Sequence, residues 1–411
     1  MNPSKPFTTT TAGFIVPMVT GTLSACSSGL IIYIISRSQQ KLSTTYHRIM
    51  AFMSTFDIIS SIFIALGTIM MPSDSIFKYA GPLLGNKVTC QIQGWLVVFG
   101  LCGSTSLNAC LTWYFVCSIV FKVHSVTIRK RIEPFMHIYT VIIALFVPSF
   151  YLSKDLMNPS LYDNFCVIVT YPESCDDEKW YDLNECVWDE STGPQYWLLA
   201  TITTAIHFGS IVTGMSIILW TIIRTSQHNK NNSRPLDENL EGAASESKTE
   251  DQGTKMAEVM TIENSRVLVL QALMYIAVFF LTWIFNLLSV VFNVRNDELD
   301  LMNSILFPLQ GFWNFLIFLY DKTHIIRQYN SSLSFWQAVK KTLSEPSEAS
   351  VIALLNLAIV ENISDRKMND KNPSVSESEP ERQVSVYECK RDLIMGSSSC
   401  SNIFSWEKTD A

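Results

Sequence analysis

Seven long apolar runs, parted by polar breaks, set the pattern of this chain: about 12–36, 46–71, 90–122, 134–153, 195–224, 264–293 and 300–320. Each approaches or exceeds the roughly 20 residues that a helix needs to cross a bilayer. The first is too long for a signal-peptide core and no small-residue cleavage pattern follows it, so it reads as a span. The third organises the rest. No charge falls between Cys90 and Phe121, and Ser104, Asn108 and Thr112 recur at i, i+4 and i+8, on one helix face. Polar groups at membrane depth are costly unless they face protein or water. The third run is therefore expected at the centre of a helix bundle.

The breaks orient the bundle. Arg37, Lys41 and Arg48 follow or flank the first break, Lys122, Arg129, Lys130 and Arg131 the third, and Lys322 and Arg327 the seventh run. The opposite breaks are poor in bases, and residues 155–190 carry ten acids against Lys179 alone. Lysine and arginine stay on the cytoplasmic side of membrane proteins. The pattern predicts an all-α membrane protein: a seven-transmembrane helix bundle, N-terminus outside and C-terminus cytoplasmic.

Composition agrees. The chain is 48% hydrophobic and 16% charged, with a mean hydropathy of +0.21. The net charge of −7 resides in loops and tail, and no basic domain exists to hold nucleic acid. Cys26, Cys102, Cys110 and Cys117 lie inside apolar runs, and Cys389 and Cys400 in the tail. Cys90, Cys166, Cys175 and Cys186 lie in or beside outer loops, where two disulfides have three possible pairings.

Residues 1–11 form a short outer terminus ahead of the domain 12–328, which holds all seven runs. The cytoplasmic loop 225–260 and the tail 346–411 are polar and expected to be disordered. Between them, 329–345 predicts a short amphipathic helix capped by Ser332, with Phe335, Trp336 and Val339 on one face and Lys340 and Lys341 opposite. That pattern suits the inner membrane surface, so lipid is an expected partner. The apolar stretch 351–360 is too short to span and reads as interfacial or packed.

Asp57 is an acid inside an apolar run with no lysine or arginine at its depth. Intramembrane acids are functional hypotheses by default. With Ser104, Asn108 and Asn314 it forms a candidate buried polar cluster, able to hydrate or hold a small hard cation such as Na⁺ through oxygen ligands. In the seventh run Gln310, Asn314 and Phe318 share a face, and in the sixth Phe279 and Trp283 are one turn apart, with Asn286 near the next. Aromatic stripes more often mean packing than chemistry, but here three helices carry inward polar or aromatic stripes at similar depth.

These residues resemble the rhodopsin-like G-protein-coupled receptors, as a divergent member. The second-helix acid of that family matches Asp57, the cysteine opening the third helix matches Cys90, and Ser104 falls fourteen residues later, where a serine lines a sodium pocket. The sixth-helix F-x-x-C-W-x-P is kept as Phe279 and Trp283 without the proline, and N-P-x-x-Y as Asn314 alone. The stretch 308–318 is also similar to the seventh helix of cyclic-AMP-receptor-like and other protist or fungal receptors. The resemblance implies a Cys90–Cys186 disulfide, with Cys175 the alternative. It implies a ligand pocket floored by Trp283 and Phe279 and a sodium site at Asp57, Ser104, Asn108, Asn314 and Gln310. It further implies a heterotrimeric G protein meeting Lys122, Arg129, Lys130, Arg131 and Arg224, in answer to an extracellular ligand. One departure stands out: where D-R-Y should close the third helix the chain reads Tyr114-Phe115-Val116, with no arginine before Arg129.

Other classes fit less well. A retinal Schiff base needs a lysine inside the seventh run, and 301–320 contains none. A transporter or channel tends to show repeats, broken helices and several buried charges; here there is one buried acid, His207 and no repeat. No G-x-S-x-G, paired intramembrane aspartates or H-E-x-x-H marks an enzyme, and no cofactor other than a sodium ion is expected.

Overall fold

The computed structural model describes residues 9–38, 41–75, 79–160, 163–169, 193–232, 269–288, 297–329 and 332–344. All belong to the compact unit Met1–Val351. Five long helices come first: α1 Thr11–Arg37, α2 Thr45–Leu66, α3 Lys87–Phe115, α4 Glu133–Ser153 and α5 Gly193–Asn232. Next is α6 Val269–Leu288. Then come α7 Asp297–Leu306, α8 Gln310–Tyr329 and the short α9 Phe335–Ser344. Helices α1 to α6 are each long and apolar enough to span, and α7 with α8 forms a seventh span bent by 49°.

That bend is where the single 300–320 span breaks. Pro308 lacks an amide hydrogen and its ring clashes with the preceding turn. Phe307 still bonds back to the Asn303 carbonyl, and a new helix starts at Gln310. The new N-terminus has amides without helical partners. One of them, the Gly311 N–H, donates to Ser24 Oγ of α1 at 3.1 Å. A β-carbon at Gly311 would stand 2.2 Å from Ser28 Oγ, so only glycine permits this approach.

Helix α3 is the central element. Its span is 72% buried, against 22–50% for the other single-helix spans. Polar caps open the first helices: Thr10 accepts from Gly13 N, Thr44 from His47 N, and Asn86 forms a reciprocal box with Thr89. A core of Ile31, Ile49, Met53, Leu107, Phe115 and Phe318 fills the space between helices.

One end of the bundle is closed by a hairpin, β1 Met157–Pro159 paired antiparallel with β2 Cys166–Ile168. Cys166 is bonded to Cys90. The pairing inferred from resemblance, Cys90 with Cys186 or Cys175, is therefore corrected. The physical reason is the hairpin, which lays β2 along α3 and brings the Cys166 Cα to 5.5 Å from that of Cys90. Cys175 and Cys186 lie outside the described residues. We refer to this end as the hairpin end and to the other, where α2 begins and α3 finishes, as the basic end.

At the basic end α2 and α4 are joined through a carboxylate. Arg48 Nε pairs with Glu133 Oε1, and Thr45 Oγ1 donates to Glu133 Oε2 at 2.7 Å. His137 Nε2 stands 3.5 Å from the same carboxylate. Arg48 thus serves as an interhelix tie as well as a base of the first break.

Helix α9 is capped by Ser334, not Ser332. Ser334 Oγ accepts from Gln337 N at 3.3 Å while Gln337 Oε1 accepts from Ser334 N at 2.9 Å. The cap falls there because the reciprocal partner must stand three residues on. Ala338 and Thr342 are buried, whereas Trp336 is 76% exposed beside Phe335. Helix α5 runs on to Asn232, past the expected edge at 224. The expected disorder of 233–260 and of the tail, and the apolar stretch 351–360, lie outside the described residues.

Candidate functional site

The polar stripes of α2, α3 and α8 meet inside the bundle. Asp57 is buried, and Ser104 Oγ donates to its Oδ1 at 2.5 Å. Asn314 Nδ2 donates to its Oδ2 at 3.0 Å, and Gln310 Nε2 donates to Ser104 Oγ at 2.9 Å. Four of the five expected polar residues thus form one hydrogen-bonded chain across three helices. The break at Pro308 contributes directly, because it places Gln310 and Asn314 on the first turns of α8. None of the ion pairs among the described residues includes Asp57. Its charge is met by neutral donors alone.

Asn108 lies apart from this chain. One turn beyond Ser104, it lines a small cavity with Thr112, Phe115, Ile211, Tyr275 and Phe279. The i, i+4 spacing put Asn108 on the right face of α3 but at a different depth.

Toward the hairpin end lies an aromatic box. Trp283 meets Phe307 at 5.2 Å and Phe208 at 5.9 Å, both edge to face, and Phe279 at 6.0 Å. Above it Phe165 of the hairpin packs with Ile64, Val97 and Phe307. The Trp283 Nε1 hydrogen is buried without a partner. The two residues expected to floor a pocket are therefore adjacent, with the hairpin over them.

Gln93 fastens that hairpin, and sequence reasoning missed it. Fully buried, it donates Nε2 to the carbonyls of Phe63 at 2.9 Å and Gly67 at 2.8 Å, and accepts from Cys166 N at 3.1 Å. Its only signal was one amide in an apolar run. Asn164 likewise donates to the Gly13 carbonyl of α1, and Tyr79 Oη to the Ser160 carbonyl at 2.6 Å. His207 is a packed residue: Nε2 meets Ser106 Oγ at 2.8 Å and Tyr139 Oη at 3.2 Å, and Nδ1 meets the Thr203 carbonyl at 2.8 Å. Among the described residues no group of three metal-binding side chains occurs.

At the basic end Lys122, Arg129, Lys130, Arg131 and Arg224 are all exposed, Arg224 with its guanidinium 5.2 Å over the Trp220 ring. Lys122 adopts φ 49°, which ends the widened π-turn Val116–Val120 of α3. Where the family's arginine would stand, Phe115 and Val116 are buried in the apolar core.

No family model and no curated protein matches the sequence. Among solved structures, squid rhodopsin matches with a TM-score of 0.51 over 78% of this chain and 80% of that one, at 12% identity. This chain has the rhodopsin fold. A bundle of this fold is what the residue-level resemblance at Asp57, Cys90, Ser104, Trp283 and Asn314 implied. At 12% identity it speaks to the fold and not to a ligand. Within the rhodopsin fold, the polar chain sits between the aromatic box and the basic end. Lys322 belongs to the basic end, where it meets His47 Nε2 at 2.9 Å, well away from the Trp283 box.

Proposed function

We propose that the chain is a plasma-membrane receptor that passes an extracellular ligand signal to a heterotrimeric G protein by rearranging its helices. The observation that carries the reading is the Asp57–Ser104–Gln310–Asn314 chain. Directional bonds tie α2, α3 and α8 at one depth, under the box that would receive the ligand. Helices held by a few such bonds have discrete arrangements rather than a continuum, and a ligand that favours one arrangement shifts the population toward it. The exposed bases at the opposite end supply the surface for the cytoplasmic partner.

The test is purified protein in vesicles, scored for nucleotide exchange on a panel of G proteins against a library of extracellular compounds. Some compound is expected to stimulate exchange. A protein that stimulates none and instead moves solute or current is a transporter or channel.

A sodium ion fits the polar chain. The Asp57 carboxylate and the Ser104 hydroxyl supply hard oxygens, while Asn314 and Gln310 face them through amide N–H, and the carboxylate has no basic partner among the described ion pairs. When bound, the ion would supply positive charge to a carboxylate buried in low dielectric. Ser104 and Asn314 orient that carboxylate, and Gln310 holds Ser104. Wild-type protein is expected to melt several degrees higher in NaCl than in the chloride of a large organic cation. Asp57→Asn should abolish the difference; if the variant keeps it, the ion binds elsewhere.

A further inference from the structure

At the basic end a second polar assembly crosses the bundle. The hydroxyls of Tyr46 on α2 and Tyr275 on α6 lie 3.0 Å apart, and Tyr275 is 3% exposed. The Tyr46 ring stacks on Phe318 of α8 at 6.4 Å. Lys322 sits 5.4 Å over the Phe318 ring and meets His47. Asp321 is buried close to both tyrosines, and Gln271, one turn before Tyr275, lies beside the Tyr46 hydroxyl.

Most neighbours of Tyr275 on the inward face of α6, Gln271 apart, are apolar. Ala272, Ile276 and Phe279 pack against α3 and α5. Apolar contacts tolerate sliding, whereas a hydroxyl pair in a dry interior is directional and costly to leave half-made. At this end of α3, Phe115 and Val116 are buried in the apolar core and offer α6 apolar contact alone.

We propose that the Tyr46–Tyr275 hydroxyl pair is a latch: it ties the basic end of α6 to α2 across Phe318 and so keeps the resting arrangement. The inference rests on the receptor reading for its consequence, but the tie itself does not require a G protein.

The test uses Tyr46→Phe, Tyr275→Phe and the double variant, each of which keeps its ring and hence the packing on Phe318. Nitroxide labels at Leu42 and Leu270, which are 49% and 45% exposed at the basic ends of α2 and α6, report the distance between those ends. Each single variant is expected to populate a longer distance about fivefold more than wild type, as the loss of one net hydrogen bond implies. The double variant should do no more than either single, since the bond is lost once. Basal nucleotide exchange should rise by the same factor. Distances that lengthen without exchange on any G protein uphold the latch and count against the receptor reading. Ligand-stimulated exchange in wild type, with distances and basal exchange unchanged in all three variants, overturns the latch and leaves the receptor reading standing. Thermal melting close to wild type in the Tyr46→Phe protein confirms that the fold is intact.

Discussion

Cys166→Ser is expected to lower the unfolding free energy by about 4 kcal/mol, the loop-closure value for a link of this span. The bond joins positions 76 residues apart and fastens the hairpin to the start of α3. Without it, Gln93 and Asn164 remain to hold the hairpin, and Phe165 loses its fixed place over the aromatic box. Surface expression should fall sharply. Cys90→Ser and the double variant should match Cys166→Ser, because all three remove one bond. Thermal unfolding in detergent and a non-reducing peptide map check this. A Cys166→Ser protein that melts with wild type, and a map that joins the Cys90 peptide to the Cys186 peptide, would refute the assignment.

Glu133→Ala should have the next largest effect, a loss of about 3 kcal/mol, in the range for breaking a largely buried pair. The side chains of Glu133 and Arg48 are 6% and 16% exposed, so removing the carboxylate leaves the guanidinium poorly solvated and without its partner. Thr45 loses its acceptor as well. Glu133→Gln, which keeps an oxygen for Thr45 and Arg48, should lose less. The Arg48→Met, Glu133→Met pair should recover most of the loss, since apolar replacements of both partners are often close to neutral. Melting curves of the four proteins decide; equal loss in Glu133→Ala and the double variant would show that packing at this corner matters and the ion pair does not.

Much of the bundle was legible because its signals are local. Span length and the lysine and arginine pattern need no knowledge of contacts, and helices α1 to α6 lie where the apolar runs lie. The polar chain was legible too, since Ser104 on α3 and Gln310 with Asn314 on α8 repeat at helical spacing and each needs a partner inside the membrane. What failed depended on tertiary geometry. Spacing gives a residue its face and not its depth, so Asn108 was grouped with Asp57 while its side chain lines a cavity one turn away. The disulfide depended on which loop segment pairs as a hairpin, and three pairings were equal on sequence. Gln93 bonds mainly to backbone of other segments, which leaves no mark in the sequence. Tyr46 and Tyr275 read as ordinary aromatics because half of such a side chain is apolar. The break in the seventh span was within reach, for Pro308 stands in its middle.

The central claim is that this bundle drives a G protein. The direct measurement is ligand-independent nucleotide exchange on a panel of heterotrimers, with wild type and Tyr275→Phe in vesicles that present the basic end. The predicted result is exchange above that of empty vesicles on at least one heterotrimer, raised about fivefold in Tyr275→Phe. Exchange equal to empty vesicles for both proteins on every heterotrimer, with ion current across the same vesicles, would contradict it.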